Sequence, residues 1–181
     1  MKNKIIPLLL FCVFILATAL RAQELVSHNY LFLLDQGRDM MAVKGILYDH
    51  HLTLIGPYTS LEGVFQGPIW YYLLAIPTFI FRGDPWGSIV LMFVISLGTF
   101  AGAYFWSKKL FGETAGLFIA FLFAISPEAI AAATFSWNPH PMWLLLTLYI
   151  FVFFTLMQGK KRMHLFLWPL IALMFHFETA L

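Results

Sequence analysis

The sequence predicts an all-α, polytopic membrane protein, with about five transmembrane helices and interfacial helices in a long first external loop. Three observations predict it. Of 181 residues, 61% are hydrophobic and 11% charged, whereas a soluble domain is roughly 45–50% apolar and about 25% charged. The apolar residues fall in runs at 5–20, 68–81, 86–106, 114–133, 141–157 and 164–181. Basic residues cluster outside those runs, at Lys2/Lys4, Lys108/Lys109 and Lys160/Lys161/Arg162.

Residues 1–22 form a first span or signal anchor. The run 5–20 is just short of the ~20 residues a crossing needs and can extend to Ala22 or beyond. Lys2, Lys4 and Ala17-Thr18-Ala19 also describe a cleavable secretory signal; in either case the next segment is exported. Cys12 lies inside this run; alone it forms neither an intrachain disulfide nor a metal site, and it reads as a small apolar residue.

Residues 23–85 read as an external loop. The run 68–81 is short and contains Pro77, which suits an interfacial or re-entrant helix better than a crossing. Without that crossing, all three basic clusters fall on the cytoplasmic side; with it, two of them move outside. The positive-inside rule therefore favours five crossings with a cytoplasmic N-terminus. Five of the nine acids, Glu24, Asp35, Asp39, Asp49 and Glu62, then lie in the exported loop. Residues 86–181 supply the remaining spans. The last run ends at Leu181 without a polar anchor, so the chain reads as the amino-terminal part of a larger protein whose carboxyl-terminal portion is missing.

The chemistry-bearing candidates all lie in the external segments. In LLDQGRDMMAVKGILYDHH, Asp35 is placed to cap a helix, and Met40, Val43, Ile46 and Leu47 share one face. Such a helix would lie along the membrane surface with that face down. Arg38 and Asp39 follow one turn beyond Asp35. Carboxylates at a membrane boundary are commonly functional; the alternative is that Asp35 only caps, with Arg38 as its ion partner. Trp70, Tyr71 and Tyr72 belong at the headgroup level, as an aromatic belt or as a wall for a lipid chain or sugar ring. The turn 135–141 carries Asn138 and His140, and the carboxyl end carries His176 and Glu178. His176 and Glu178, two apart on a helix, point in different directions and make no ready-made metal pair. Asp49-His50-His51 is weak evidence for metal. No phosphate loop, zinc spacing, nucleophile elbow or nucleic-acid patch is present.

The stretches DQGRDMMAVKGIL, LIGPYTSLEGVFQGPIWYYLLAIP, KKLFGETAG and ISPEAIAAATFSWNPHP, in that order, resemble the amino-terminal half of bacterial GT-C glycosyltransferases. These are the polyprenyl-phosphate-sugar-dependent enzymes related to protein O-mannosyltransferases and aminoarabinose transferases. The resemblance implies that Asp35 is the catalytic carboxylate and that the site faces away from the cytoplasm, across the bacterial inner membrane. It implies a polyprenyl-phosphate-linked sugar as donor and a lipid, glycan or protein acceptor. Two departures stand out. Where the aminoarabinose branch often has Glu-Lys-Pro-Pro, this chain has Phe65-Gln66-Gly67-Pro68, without either charge, so a divalent metal is possible but has no ligand motif behind it. Asn138 and His140 stand where many relatives carry an Asp.

The implied reaction inverts the anomeric centre, with Asp35 taking the proton of the acceptor hydroxyl. Arg38, His140 and His176 are the exported groups able to face a leaving phosphate, and Asp39, Asn138 and Glu178 are candidates to hold substrate. The rival reading is a transporter, flippase or lipid-binding subunit. A transporter would place charges within its spans around a midplane pathway, and here the acids gather in one external loop.

Overall fold

A computed structural model describes residues 5–178 of the chain, which are helical and connected by turns and irregular loops. Lys2 and Lys4, the first basic cluster, lie outside the described residues. The helices are α1 (Ile5–Ser27), α2 (Leu34–Leu47), α3 (Ile69–Ile80), α4 (Trp86–Phe111), α5 (Glu113–Ile125), α6 (Pro127–Thr134), α7 (Met142–Met157) and α8 (His164–Met174), with a 3₁₀ turn at Lys161–Met163. Two helices, α1 and α4, are long and apolar enough to cross a membrane, and there are up to three such spans if the bent pair α5 and α6 is one. At 1.5 Å per residue, α4 is about 39 Å long and α1 about 34 Å, against a hydrocarbon core of ~30 Å. The described helices α7 and α8, with 16 and 11 residues, are shorter than the expected spans.

The helices form an antiparallel bundle. The start of α4 meets the end of α1, where Trp86 Nε1–H donates to the Leu25 carbonyl at 3.1 Å and stacks on His28. The end of α4 returns to the start of α1, where Phe100, Tyr104, Ala17, Ala120 and Ala124 form a core with Leu10 and Val13. Small residues let α1, α4 and α5 approach closely, as packing in lipid requires. Gly112, at φ 95°, joins α4 to α5 in a conformation that disfavours side chains. The end of α7 lies beside the end of α4 through Trp106–Phe151 and Phe111–Phe154 contacts. Lys108/Lys109 and Lys160/Lys161/Arg162 thus share one end of the bundle, and the polar loops share the other.

Three expectations are corrected. The run 114–133 is not one straight helix: it breaks at Ser126-Pro127 with a 61° bend. Pro127 holds Ser126 in extended backbone, and Ser126 Oγ then accepts from the Ala129 N–H as the cap of α6. The apolar face of α2 does not lie on lipid. Val43 is fully buried, and Met40, Ile46 and Leu47 pack with it against Trp70, Tyr71 and Leu74 of α3. Trp70 and Tyr71 are accordingly interior residues rather than a belt, and only Tyr72 is half-buried, donating its O–H to the Thr53 carbonyl at 2.8 Å. Burying a large side chain of this kind contributes roughly 1.5–3 kcal/mol.

Arg21, at the end of the expected first span, is inside α1 and fully buried. Its guanidinium satisfies the carbonyls left open where α5 breaks. Nη2 donates to Phe123 O at 2.7 Å and Nη1 to Ala124 O at 2.9 Å, while Nε donates to Ser96 Oγ at 2.9 Å. A cation at a helix C-terminus is favoured by the helix dipole, and these bonds tie α1 and α4 to the broken span. Arg21→Met should therefore lower the thermal midpoint of the purified protein markedly, since each orphaned buried polar group costs about 1–3 kcal/mol. Leu20→Ala, on the exposed side of the same turn, should cost much less. A melting curve for Arg21→Met that overlays wild type would show the cap to be dispensable.

Candidate active site

The site is built on α2. Its N-cap is Leu33, not Asp35, which occupies the first turn; the carboxylate there still faces the positive end of the helix dipole. Capping falls instead to Gln36, whose Oε1 accepts the Leu33 N–H at 2.8 Å. The other end of the same amide donates Nε2–H to Ser136 O at 2.7 Å, so a buried side chain fastens α2 to the turn after α6.

Asp35, Arg38 and Asp39 form one connected group. Asp39 is buried, with its side chain 2% exposed, and Trp70 Nε1–H donates to its Oδ2 at 2.7 Å. Arg38 donates to Asp39 Oδ1 through Nε at 2.9 Å and Nη2 at 2.7 Å, and reaches Asp35 Oδ1 through Nη1 at 3.0 Å. Its guanidinium also lies 4.9 Å from the ring centre of Tyr58. Burial pushes the Asp39 carboxyl above its ordinary value, with the Trp70 and Arg38 bonds pulling the other way. Burial alone would lower Arg38; the bond and charge of Asp39 outweigh it and hold the guanidinium above its usual value. Asp35 is the open member: 46% of its side chain is exposed, and its Oδ2 makes no hydrogen bond among the described residues.

Asp35 and Arg38 open onto a cleft of about 460 Å³. Its far wall is Trp137, Asn138 and Pro139 from the turn before α7, with Glu178 beyond α8 and Tyr58–Leu61 along the rim. The rim is a small hairpin-like loop, closed by backbone bonds between Gly56 and Gln66 and between Thr59 and Val64. Gln66 is at the floor, and Asn138 Nδ2 donates both to Gln66 Oε1 and, at 3.0 Å, to Phe177 O. Four segments far apart in sequence therefore meet at one polar opening.

Of the residues predicted from sequence, Asp35, Arg38, Asn138 and Glu178 line this cleft. Asp39 lies behind Arg38. His140 is elsewhere: its ring packs near Met92, Ile95 and Phe123 and its Nδ1 lies 2.6 Å from Phe135 O. Burial lowers His140 below the usual imidazole value, against the raising effect of the Phe135 carbonyl, so it favours the neutral form. His176 and Glu178 follow the last turn of α8 rather than sitting on a helix. The His176 ring lies where a side chain at position 67 would be, since a Cβ on Gly67 would come within 1.7 Å of its Nδ1. That Nδ1 is buried without a hydrogen-bond partner among the described residues. Sequence reasoning did not assign Tyr58, Gln66 or Trp137 to the site; the pairing of Gln66 with Asn138, 72 residues apart, leaves no local signal. No three His, Cys, Asp or Glu side chains converge among the described residues.

No curated protein and no solved structure matches the chain. A protein family described as dolichyl-phosphate-mannose-protein mannosyltransferase matches residues 66–179. That segment runs from the floor of the cleft through its far wall to Glu178, and leaves α2 with Asp35 outside it. Because the match takes in more than half of the sequence, from the floor of the cleft through α3 to α8, the chain belongs to the dolichyl-phosphate-mannose-protein mannosyltransferase family of GT-C glycosyltransferases.

Proposed function

We propose that this chain carries the acceptor-activating site of an inverting glycosyltransferase. The enzyme moves a sugar from a polyprenyl-phosphate donor to an acceptor hydroxyl at the extracytoplasmic face of a bacterial inner membrane. Asp35 is the general base. The observation that carries this reading is the open carboxylate of Asp35 at the mouth of a polar cleft, with one oxygen on Arg38 and the other available.

In the reaction, the acceptor O–H gives its proton to Asp35 Oδ2 as the oxygen attacks the anomeric carbon. The bond from that carbon to the phosphate oxygen breaks on the opposite face, and the polyprenyl phosphate leaves with the electron pair. Tyr58 and Trp137 supply flat apolar surface against a sugar ring, while Gln66, Asn138 and Glu178 offer polar groups to hydroxyls. Arg38 serves two carboxylates and His140 turns away. The described cleft therefore suits the hydroxyl-bearing end of the reaction better than its phosphate end.

The positive-inside rule supports a topology with Lys108/Lys109 and Lys160/Lys161/Arg162, which share one end of the bundle, in the cytoplasm and the cleft outside. In intact cells, a cysteine at Lys108 should resist an impermeant thiol reagent while one at Ser60 reacts; labelling at Lys108 would invert the topology. Asp35→Asn in the full-length protein should reduce sugar transfer by about 10²–10⁴-fold at matched protein levels. An exposed ion pair contributes only ~0–1 kcal/mol, so folding should barely change. Near-normal turnover would leave Asp35 a structural partner of Arg38, and a wild type that binds donor lipid without transfer would favour a non-catalytic lipid-binding subunit.

A further inference from the structure

Asp39 and Trp70 have no contact with the cleft, yet they hold the residue that holds the base. Trp70 is fully buried on α3, and its N–H, a donor only, needs an acceptor there. Asp39 Oδ2 provides it, which fixes the plane of the carboxylate and presents Oδ1 to both Nε and Nη2 of Arg38. The guanidinium is thereby gripped along one edge, and only Nη1 extends to Asp35. Tyr58 stands against its face.

We propose that Asp39 and Trp70 are positioning residues for the base: by clamping Arg38 from behind, they make it share one positive charge between two carboxylates, so that Asp35 is aimed into the cleft without being neutralised by a full ion pair. This rests on the reading of Asp35 as the base. A carboxylate that faces an uncompensated guanidinium at 3 Å is a poor proton acceptor, because an opposite charge at that range stabilises its ionised form. Asp39 takes two N–H groups of Arg38 and carries an opposing charge, so that Arg38 reaches Asp35 through Nη1 alone. The other charged or titratable groups around the pair are Tyr71 from α3, which interacts electrostatically with Asp39 and Arg38, Tyr58 from the rim loop, and Glu178 across the cleft. Among the described residues named here, Arg38 is the cation that meets Asp35.

The competing explanation is that Asp39 is there only to satisfy Trp70 and to hold α2 on α3. The two differ in what they do to the titration of Asp35. In the full-length protein, labelling of Asp35 by a water-soluble carbodiimide with an amine nucleophile, followed by peptide-resolved mass spectrometry across pH, reads its protonated fraction. It needs neither donor nor turnover, so its outcome is separate from that of the Asp35→Asn transfer assay.

Asp39→Asn keeps the shape of the side chain and removes the charge, and its single acceptor oxygen can serve Trp70 only by turning its NH2 group to Arg38, which releases the clamp. Asp35 labelling at a fixed mildly acidic pH should then fall on the order of three- to tenfold, with the midpoint moved to lower pH. Trp70→Phe, which keeps a packed ring and loses only the N–H, should move it the same way by less. In transfer assays the acid limb of the pH–rate profile should move with the labelling. A lower melting temperature with unchanged Asp35 labelling in both variants, or a midpoint moved to higher pH, would overturn the proposal and leave Asp39 a structural partner of Trp70.

Discussion

Asp39 is buried between the indole of Trp70 and the guanidinium of Arg38, and most of the site follows from that contact. It fixes the rotation of α2 against α3: one turn further along, Val43 enters the core, and one turn back, Asp35 stands at the cleft. A buried carboxylate is tolerated only when its oxygens are satisfied, and here three N–H donors from two residues do so. Helix α3 packs over α2 around the same contact. It is a 12-residue lid for α2, about 18 Å long, and its most buried residues face protein rather than lipid.

A second constraint comes from the bilayer side. The turn that forms the far wall of the cleft must be delivered from the broken span, and the break opens carbonyls where water is scarce. Arg21 closes them from α1 while Ser96 on α4 accepts its remaining edge. With the break held, α6 leads into Ser136, which accepts from Gln36, and into Asn138, which donates to Gln66. The cleft is thus fastened at both walls by amide side chains, and among the described residues the carboxylates that line it are those of Asp35 and Glu178.

What the sequence revealed was local. The 3–4 spacing of Met40, Val43, Ile46 and Leu47 located the buried face of α2, Pro77 and the run length marked α3 as short, and the order of Asp35, Arg38 and Asp39 placed three charges within one turn. What it hid was long-range. The same apolar face served equally well for lipid or for α3, because both are hydrocarbon to a helix. Arg21 looked like a flanking charge because its partners are backbone carbonyls about 100 residues away, and carbonyls have no sequence signature. Asp35 was expected to cap α2 because Asp is favoured there, but Gln36 reaches the Leu33 N–H and the helix starts two residues earlier than that expectation. His140 and Asn138 are two residues apart in one turn, yet one faces apolar helices and the other the cleft floor.

The central claim is that the opening between α2 and the turn before α7 receives the sugar-bearing end of a lipid-linked donor. The direct measurement is photo-crosslinking of full-length protein with a polyprenyl-phosphate sugar that carries a diazirine on the sugar, followed by peptide mapping. Adducts on residues 58–61 and 137–139, competed by unmodified donor, are the predicted result. Adducts confined to the lipid-facing surfaces of α1, α4 and α7, with none on those two segments, would contradict it.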